Sequence, residues 1–275
     1  MPHIADYSTL LDLFIRLVES QAKTKIEEGS AWLNDAQVLA IKLLHHLVSM
    51  RALASGATVE TTSGLTVFFV DHASVKVIAR AALETYLVFF YLYGTADTSL
   101  RQFRHKTWKL GGLADRQRFH ATTPQGHEVL SSEKERIDEL RSEIEMSPHL
   151  NQYTDKQRKK LLSGEWRIGK GWADLGAHAG FHEKYFENIY GYLCGYSHSS
   201  YLSALQVSQA KSIEDQQALT QSILGIGVFL MAHFAFTYSG LFSNAERVLS
   251  ADQVAKRVAE KWRFGVEDMA RIYDR

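Results

Sequence analysis

Apolar residues recur along most of this chain at the three- and four-residue spacing of helices, and rarely at the two-residue spacing of strands. Residues 6–28 place Leu10, Leu11, Phe14, Ile15 and Val18 on one face, with Gly29 after the end. A second helix is predicted over 34–54, capped by Asn34 or Asp35, with Val38, Ile41, Leu44 and Val48 as its apolar face and Gly56 as its stop. The stretch "TTSGLTVFFV" (61–70) is the one strand-like run. Asp71 then caps a helix over 72–93 that Gly94 closes.

Further helices are predicted over 98–120, with a break at Gly111–Gly112, and over 131–146, where Ser132 and Glu135 have capping-box spacing. "ATTPQGH" (121–127) reads as a loop, and Pro148 ends the charged helix. Thr154 and Gln157 again have box spacing at the head of the basic "TDKQRKKLL". A short helix at "WADLGAHAG" precedes longer ones over 182–204, 213–242 and 244–263. The sum is an all-α, multi-helix bundle of about ten helices, read as a single domain over 1–275. Within it, the charged 128–165 region forms a peripheral helical hairpin.

Only 3 prolines occur, which fits long unbroken helices. Lys+Arg and Asp+Glu are both 31, so any affinity for a polyanion must be local. The single cysteine, Cys194, excludes an intrachain disulfide and fits a reducing, cytoplasmic setting. No basic leader opens the chain. From Gln216 to Ala245 there is no charged residue, a length that could cross a bilayer. His233, Thr237, Tyr238 and Ser239 within it, and the lack of a flanking Lys/Arg cluster, favour a buried central helix over a membrane span.

Candidate chemistry gathers on two helices. "YGYLCGYSHSSYLSAL" (190–205) puts Tyr190, Cys194 and His198 on one slanted stripe, beside a smooth strip at Gly191 and Gly195 where another helix could approach. His72, Lys76, Arg80 and Glu84 form a second stripe, again every four residues. Arg80 and Glu84 can pair, and the apolar run after Glu84 favours burial of its carboxylate. A buried pair needs more hydrogen bonds, which Tyr190 and His198 could supply.

The segments "ARAALETYLVFFYL" and "YFENIYGYLCGYSHSS" together resemble a family of uncharacterised, mostly bacterial, all-helical proteins of unknown function, with an R-x-x-x-E helix and a later Y-x-x-x-S-x-x-x-H helix. Arg80, Glu84, Tyr190 and His198 match, whereas Cys194 stands where serine is usual. The family is likened to HEPN domains, helical modules of bacterial defence systems, some of which cut RNA. The HEPN nuclease signature, Arg and His separated by four to six residues, does not occur here. The resemblance therefore implies a HEPN-like binding or regulatory module. The alternative is a metal-independent hydrolase or ribonuclease, with His198 as general base and Arg80 as anion stabiliser.

Neither H-E-x-x-H nor E-x-x-H occurs, nor a Gly-rich phosphate loop, so no metal or other cofactor is expected. Two local basic stretches remain. Residues 101–118 carry Arg101, Arg104, Lys106, Lys109, Arg116 and Arg118, and 156–170 carry Lys156, Arg158, Lys159, Lys160, Arg167 and Lys170. Side by side, with Trp108 and Trp166 interleaved, they would make a patch for phosphates or nucleic acid. The acidic 128–145 helix is the neighbour that could neutralise them. Homodimerisation is compatible with this composition, and the sequence names no interface.

Overall fold

The computed structural model describes residues 2–169 and 171–273. It opens with α1 (Pro2–Glu19), α2 (Asn34–Ala54) and a hairpin of β1 (Ala57–Glu60) and β2 (Thr66–Phe69). Then follow α3 (His72–Tyr93), α4 (Thr98–Arg116), α5 (Pro124–Glu145), α6 (Asp155–Leu162) and α7 (Trp172–His178). The chain continues through α8 (Glu183–Ser197), α9 (Tyr201–Gln209) and α10 (Ile213–Ser239). It closes with α11 (Ser243–Ala251), α12 (Gln253–Trp262) and α13 (Val266–Tyr273). The described residues are thus all-α apart from one antiparallel hairpin, in which Val59 pairs with Val67.

The chain divides into two compact units: residues up to Phe90 with those from Gly176 onward, and Tyr91–Leu175. In the first, α10 is the central helix. It is long and apolar enough to span a membrane, but 67% of its most apolar window is buried by the rest of the fold, as expected of a helix that is apolar all round. Phe14 of α1 stacks on Phe234 at 4.0 Å, and Phe89 of α3 packs on the same ring at 4.9 Å. Tyr7 is wholly buried and donates to the Leu47 carbonyl at 2.7 Å, tying α1 to α2. Its ring lies over Gly227, where a Cβ would come within 2.6 Å of it. Each such ring buried is worth roughly 1.5–3 kcal/mol. Asp252 caps α12 through the Ala255 N–H and also receives Arg16 at 2.6 Å.

The second unit has its own core of Phe103, Leu110, Ile137, Leu140, Ile144 and Leu161. The α4 helix does not break at Gly111–Gly112. Gly111 is instead buried beneath Trp166, which a Cβ there would meet at 2.6 Å. The capping box at Thr154 and Gln157 forms as expected.

Several expectations are corrected. The first helix stops at Glu19, where Ser20 turns its hydroxyl back to the Leu17 carbonyl and Lys23 takes a positive φ. The predicted face of α2 is its outer one: Val38, Ile41 and Val48 are exposed, while Ala36, Leu39, Ala40, Leu43, Leu47 and Met50 are buried. That helix has two apolar faces, and the one carrying the small alanines admits the close approach of α1 and α10. Its N-cap is Leu33, with no side-chain cap. The strand-like run at 61–70 is a turn at 61–65 followed by β2, which pairs with β1 just ahead of it. The charged helix starts at Pro124, capped by Thr123, so Ser132 lies inside it. The 182–204 helix is broken at His198–Ser200, and the span 244–263 is two helices, α11 and α12, with α13 beyond them.

Candidate functional site

Four-residue spacing on α3 lines up His72, Lys76, Arg80 and Glu84, and α8 meets this stripe with its tyrosines. Arg80 is the hub. Its Nε donates to Glu84 Oε1 at 3.0 Å, its Nη2 to the Tyr190 hydroxyl at 3.4 Å, and its Nη1 to His198 Nε2 at 3.3 Å. Tyr190 in turn donates to Glu84 Oε1 at 2.8 Å. Two helices more than a hundred residues apart in sequence are thus pinned by a closed triangle of Arg80, Glu84 and Tyr190, with His198 outside it. Because a guanidinium only donates, the His198 ring must present a lone pair at Nε2. Burial, then the Glu84 bond, pushes the Tyr190 phenol well above its ordinary value, so it remains a donor.

The burial gradient runs opposite to expectation. Arg80 and Glu84 keep 21% and 25% side-chain exposure, and His198 is exposed. The buried end is the other one, where Lys76 is fully enclosed and His72 nearly so. Lys76 Nζ donates to His72 Nδ1 at 3.0 Å and to the His72 carbonyl at 3.3 Å, and lies 4.4 Å from the centre of the Tyr196 ring. Burial lowers its pKa to about 8. The hydroxyls of Tyr192 and Tyr196 both donate to Gln206 Oε1 on α9. This box was only partly visible in the sequence. Lys76 stood on the stripe, but its enclosure depends on the chain reversing after α8.

That reversal has local causes. His198 ends α8, Ser199 takes a φ of 51°, and the Ser200 hydroxyl caps α9 through the Ser203 N–H. Gly195 serves this turn and not a neighbouring helix: a Cβ there would fall 2.9 Å from Ser200 Oγ. Nothing lies over Gly191. Cys194 is half-buried, and no group of three metal-ligating side chains occurs among the described residues.

The cationic positions belong to the second unit and are mostly engaged. Arg101 donates to the Thr95 carbonyl, and Arg104 to the Tyr91 carbonyl at 2.8 Å while lying over the Tyr91 ring. Lys106 pairs with Glu143 at 3.0 Å, and Arg116 Nε with Glu133 Oε2 at 3.0 Å, so α5 neutralises that side of α4. Lys109 is half-buried. Lys160 pairs with Glu165, leaving Lys156 and Lys159 exposed beside Ser163 on a shallow hollow. Lys170 lies outside the described residues.

Substituting Arg80 by alanine leaves the half-buried Glu84 carboxylate without its guanidinium, held by the Tyr190 hydroxyl. It is expected to cost about 1–2 kcal/mol, whereas His198→Ala, at the exposed rim, should cost less than about 0.5 kcal/mol. Thermal denaturation of the two variants checks this. Equal losses would mean that Arg80 does not pin the helices.

Fold and site together define an all-α protein organised around a polar seam between two helices, with a half-open cationic end and a closed one. This chain belongs to a family of unknown function, DUF5677, whose model matches residues 42–216. The match begins within α2 and ends in the first turn of α10, so the whole seam lies inside it. No curated protein and no solved structure matches the chain.

Proposed function

We propose that this chain is a helical binding or regulatory module, HEPN-like by resemblance, that recognises an anionic group, phosphate or carboxylate, at the Arg80 end of the seam. One observation carries the reading: a guanidinium fixed by Glu84 and Tyr190 stays partly open to solvent with an imidazole on its outer side. Arginine is always charged, and its planar fork suits an oxyanion once its orientation is set in advance. Nη1 and Nη2 each carry a second N–H beyond the bonds described. An arriving oxyanion that also took the Nη1 bond would displace His198 from Arg80.

Calorimetric titration with inorganic phosphate and with a nucleoside monophosphate tests this. Wild type should bind saturably, and Arg80→Met should abolish binding. No heat at millimolar phosphate, or unchanged binding by the variant, would sink the reading.

The adjacency of Arg80 and His198 also supports the second reading, a metal-independent hydrolase or ribonuclease with His198 as base. That chemistry needs Nε2 freed from Arg80, a rearrangement that substrate binding can bring about. Cleavage of mixed RNA by wild type and not by His198→Ala would favour it. Nucleic acid as a partner through Lys156, Lys159 and the remaining α4 cations would appear as RNA binding that weakens with salt, and no binding at low salt would end that option.

A further inference from the structure

A cavity of about 490 Å3 lies in the first unit between α8, α10 and α13, lined by none of the Arg80 network. Its floor is Ile226, Phe229 and Met269, all buried. Its walls are aromatic. Tyr185 packs on Phe229 and on Tyr273 with ring centres 6.3 and 6.0 Å apart, and Trp262 stands edge-on to Phe264 at 5.8 Å. These rings pack on one another. Gly225 completes the wall, and a Cβ built there would meet nothing within 4 Å.

An apolar space with these walls offers the body of a ligand dispersion contacts on several sides. Its volume is that of a small-molecule site. Three polar side chains reach it. The Ser222 hydroxyl is turned to the Leu219 carbonyl at 3.0 Å, and Asp268 accepts the Gly265 N–H at 3.0 Å. Arg271 is exposed and makes no hydrogen bond or ion pair among the described residues. Lys184 adds a second cation beside the same helix end, donating to the Tyr273 carbonyl at 3.1 Å. Asp268 and Ser222 are thus both bonded to the backbone, and among the described residues the Arg271 guanidinium is the charged group at the opening without a partner. Charge complementarity selects an anion for the polar end of a ligand whose body is apolar.

We infer that this cavity binds an amphiphilic monoanion, with an aliphatic or aromatic body against Ile226, Phe229 and Met269 and a carboxylate or sulfonate at Arg271. Titration of the full chain with the fluorescent probe anilinonaphthalene sulfonate should give saturable one-to-one binding. Decanoate should displace the probe about tenfold better than decanol or decyltrimethylammonium, a difference of about 1.4 kcal/mol. Gly225→Trp fills the cavity and should abolish binding with the thermal midpoint retained. Gly225→Leu serves the same purpose should the indole hinder folding. Arg271→Gln should weaken decanoate about tenfold and leave decanol unchanged. Non-saturable probe binding, binding unaffected in the filled variants, or equal competition by decanol and decanoate would each overturn the inference.

Discussion

Between pH 7 and pH 10 the wild-type protein is expected to gain on the order of 2 kcal/mol of stability relative to a Lys76→Met variant. Lys76 is fully enclosed, and among the described residues no ion pair to a carboxylate holds it there. Its ammonium faces the His72 ring and carbonyl on its own helix and the Tyr196 and Tyr192 rings of α8, with Asp71 the carboxylate near enough to favour its charge. Burial holds the folded-state pKa at about 8, below its ordinary value of 10.5. Below pH 8 both folded and unfolded chains carry the proton, and the folded one bears the cost of an enclosed charge. Between about 8 and 10.5 the folded chain has released its proton and the unfolded chain has not, so stability rises with pH across that window. Methionine has no proton to release and removes the effect. Using the difference between the two proteins cancels the buried tyrosines, whose ionisation in the unfolded chain destabilises both at alkaline pH. Chemical denaturation at several pH values measures the difference, and parallel profiles would show that Lys76 keeps its proton in the folded chain throughout this range, its pKa not lowered by enclosure.

Acid should act on a different point. Stability is expected to fall by on the order of 2 kcal/mol as pH drops from about 6.5 towards 4, and His233→Gln should remove most of that loss. The His233 ring sits 4.3 Å from the Phe229 ring and is bonded through Nε2 to the Phe264 carbonyl at 3.1 Å. A carbonyl only accepts, so Nε2 carries the proton. Burial holds the folded-state pKa at about 4. As pH falls through the unfolded value near 6.5, the unfolded chain takes up a proton that the folded chain refuses. Folding is therefore weakened until the folded pKa is reached. Glutamine can keep a donor for Phe264 and does not titrate. An unchanged acid limb in the variant would place the loss elsewhere.

Much of the fold could be read from the chain because helices are local. Spacing and caps set α2, α3, α6 and α10 to within a few residues. The chain also placed Arg80, Glu84, Tyr190 and His198 on two stripes, and the structure brings these four together. Where reading failed, the competing signals were of equal local strength. Two apolar faces of α2 look alike in sequence, and only the approach of α1 and α10 chooses between them. Val18 is followed by a polar stretch that could have stayed helical. Ser199 in a left-handed conformation ends α8, and nothing in "YSHSSYLS" marks that residue over its neighbours.

By itself, then, the sequence determined which segments are helical and which side chains share a helical stripe, since both follow from periodicity along a single segment. Only the tertiary structure decided which end of the seam is closed. The enclosure of Lys76, the openness of Arg80 and the cavity beside Gly225 all depend on where α9 and α13 come to lie. Burial is a property of neighbours distant along the chain, and no local pattern encodes them.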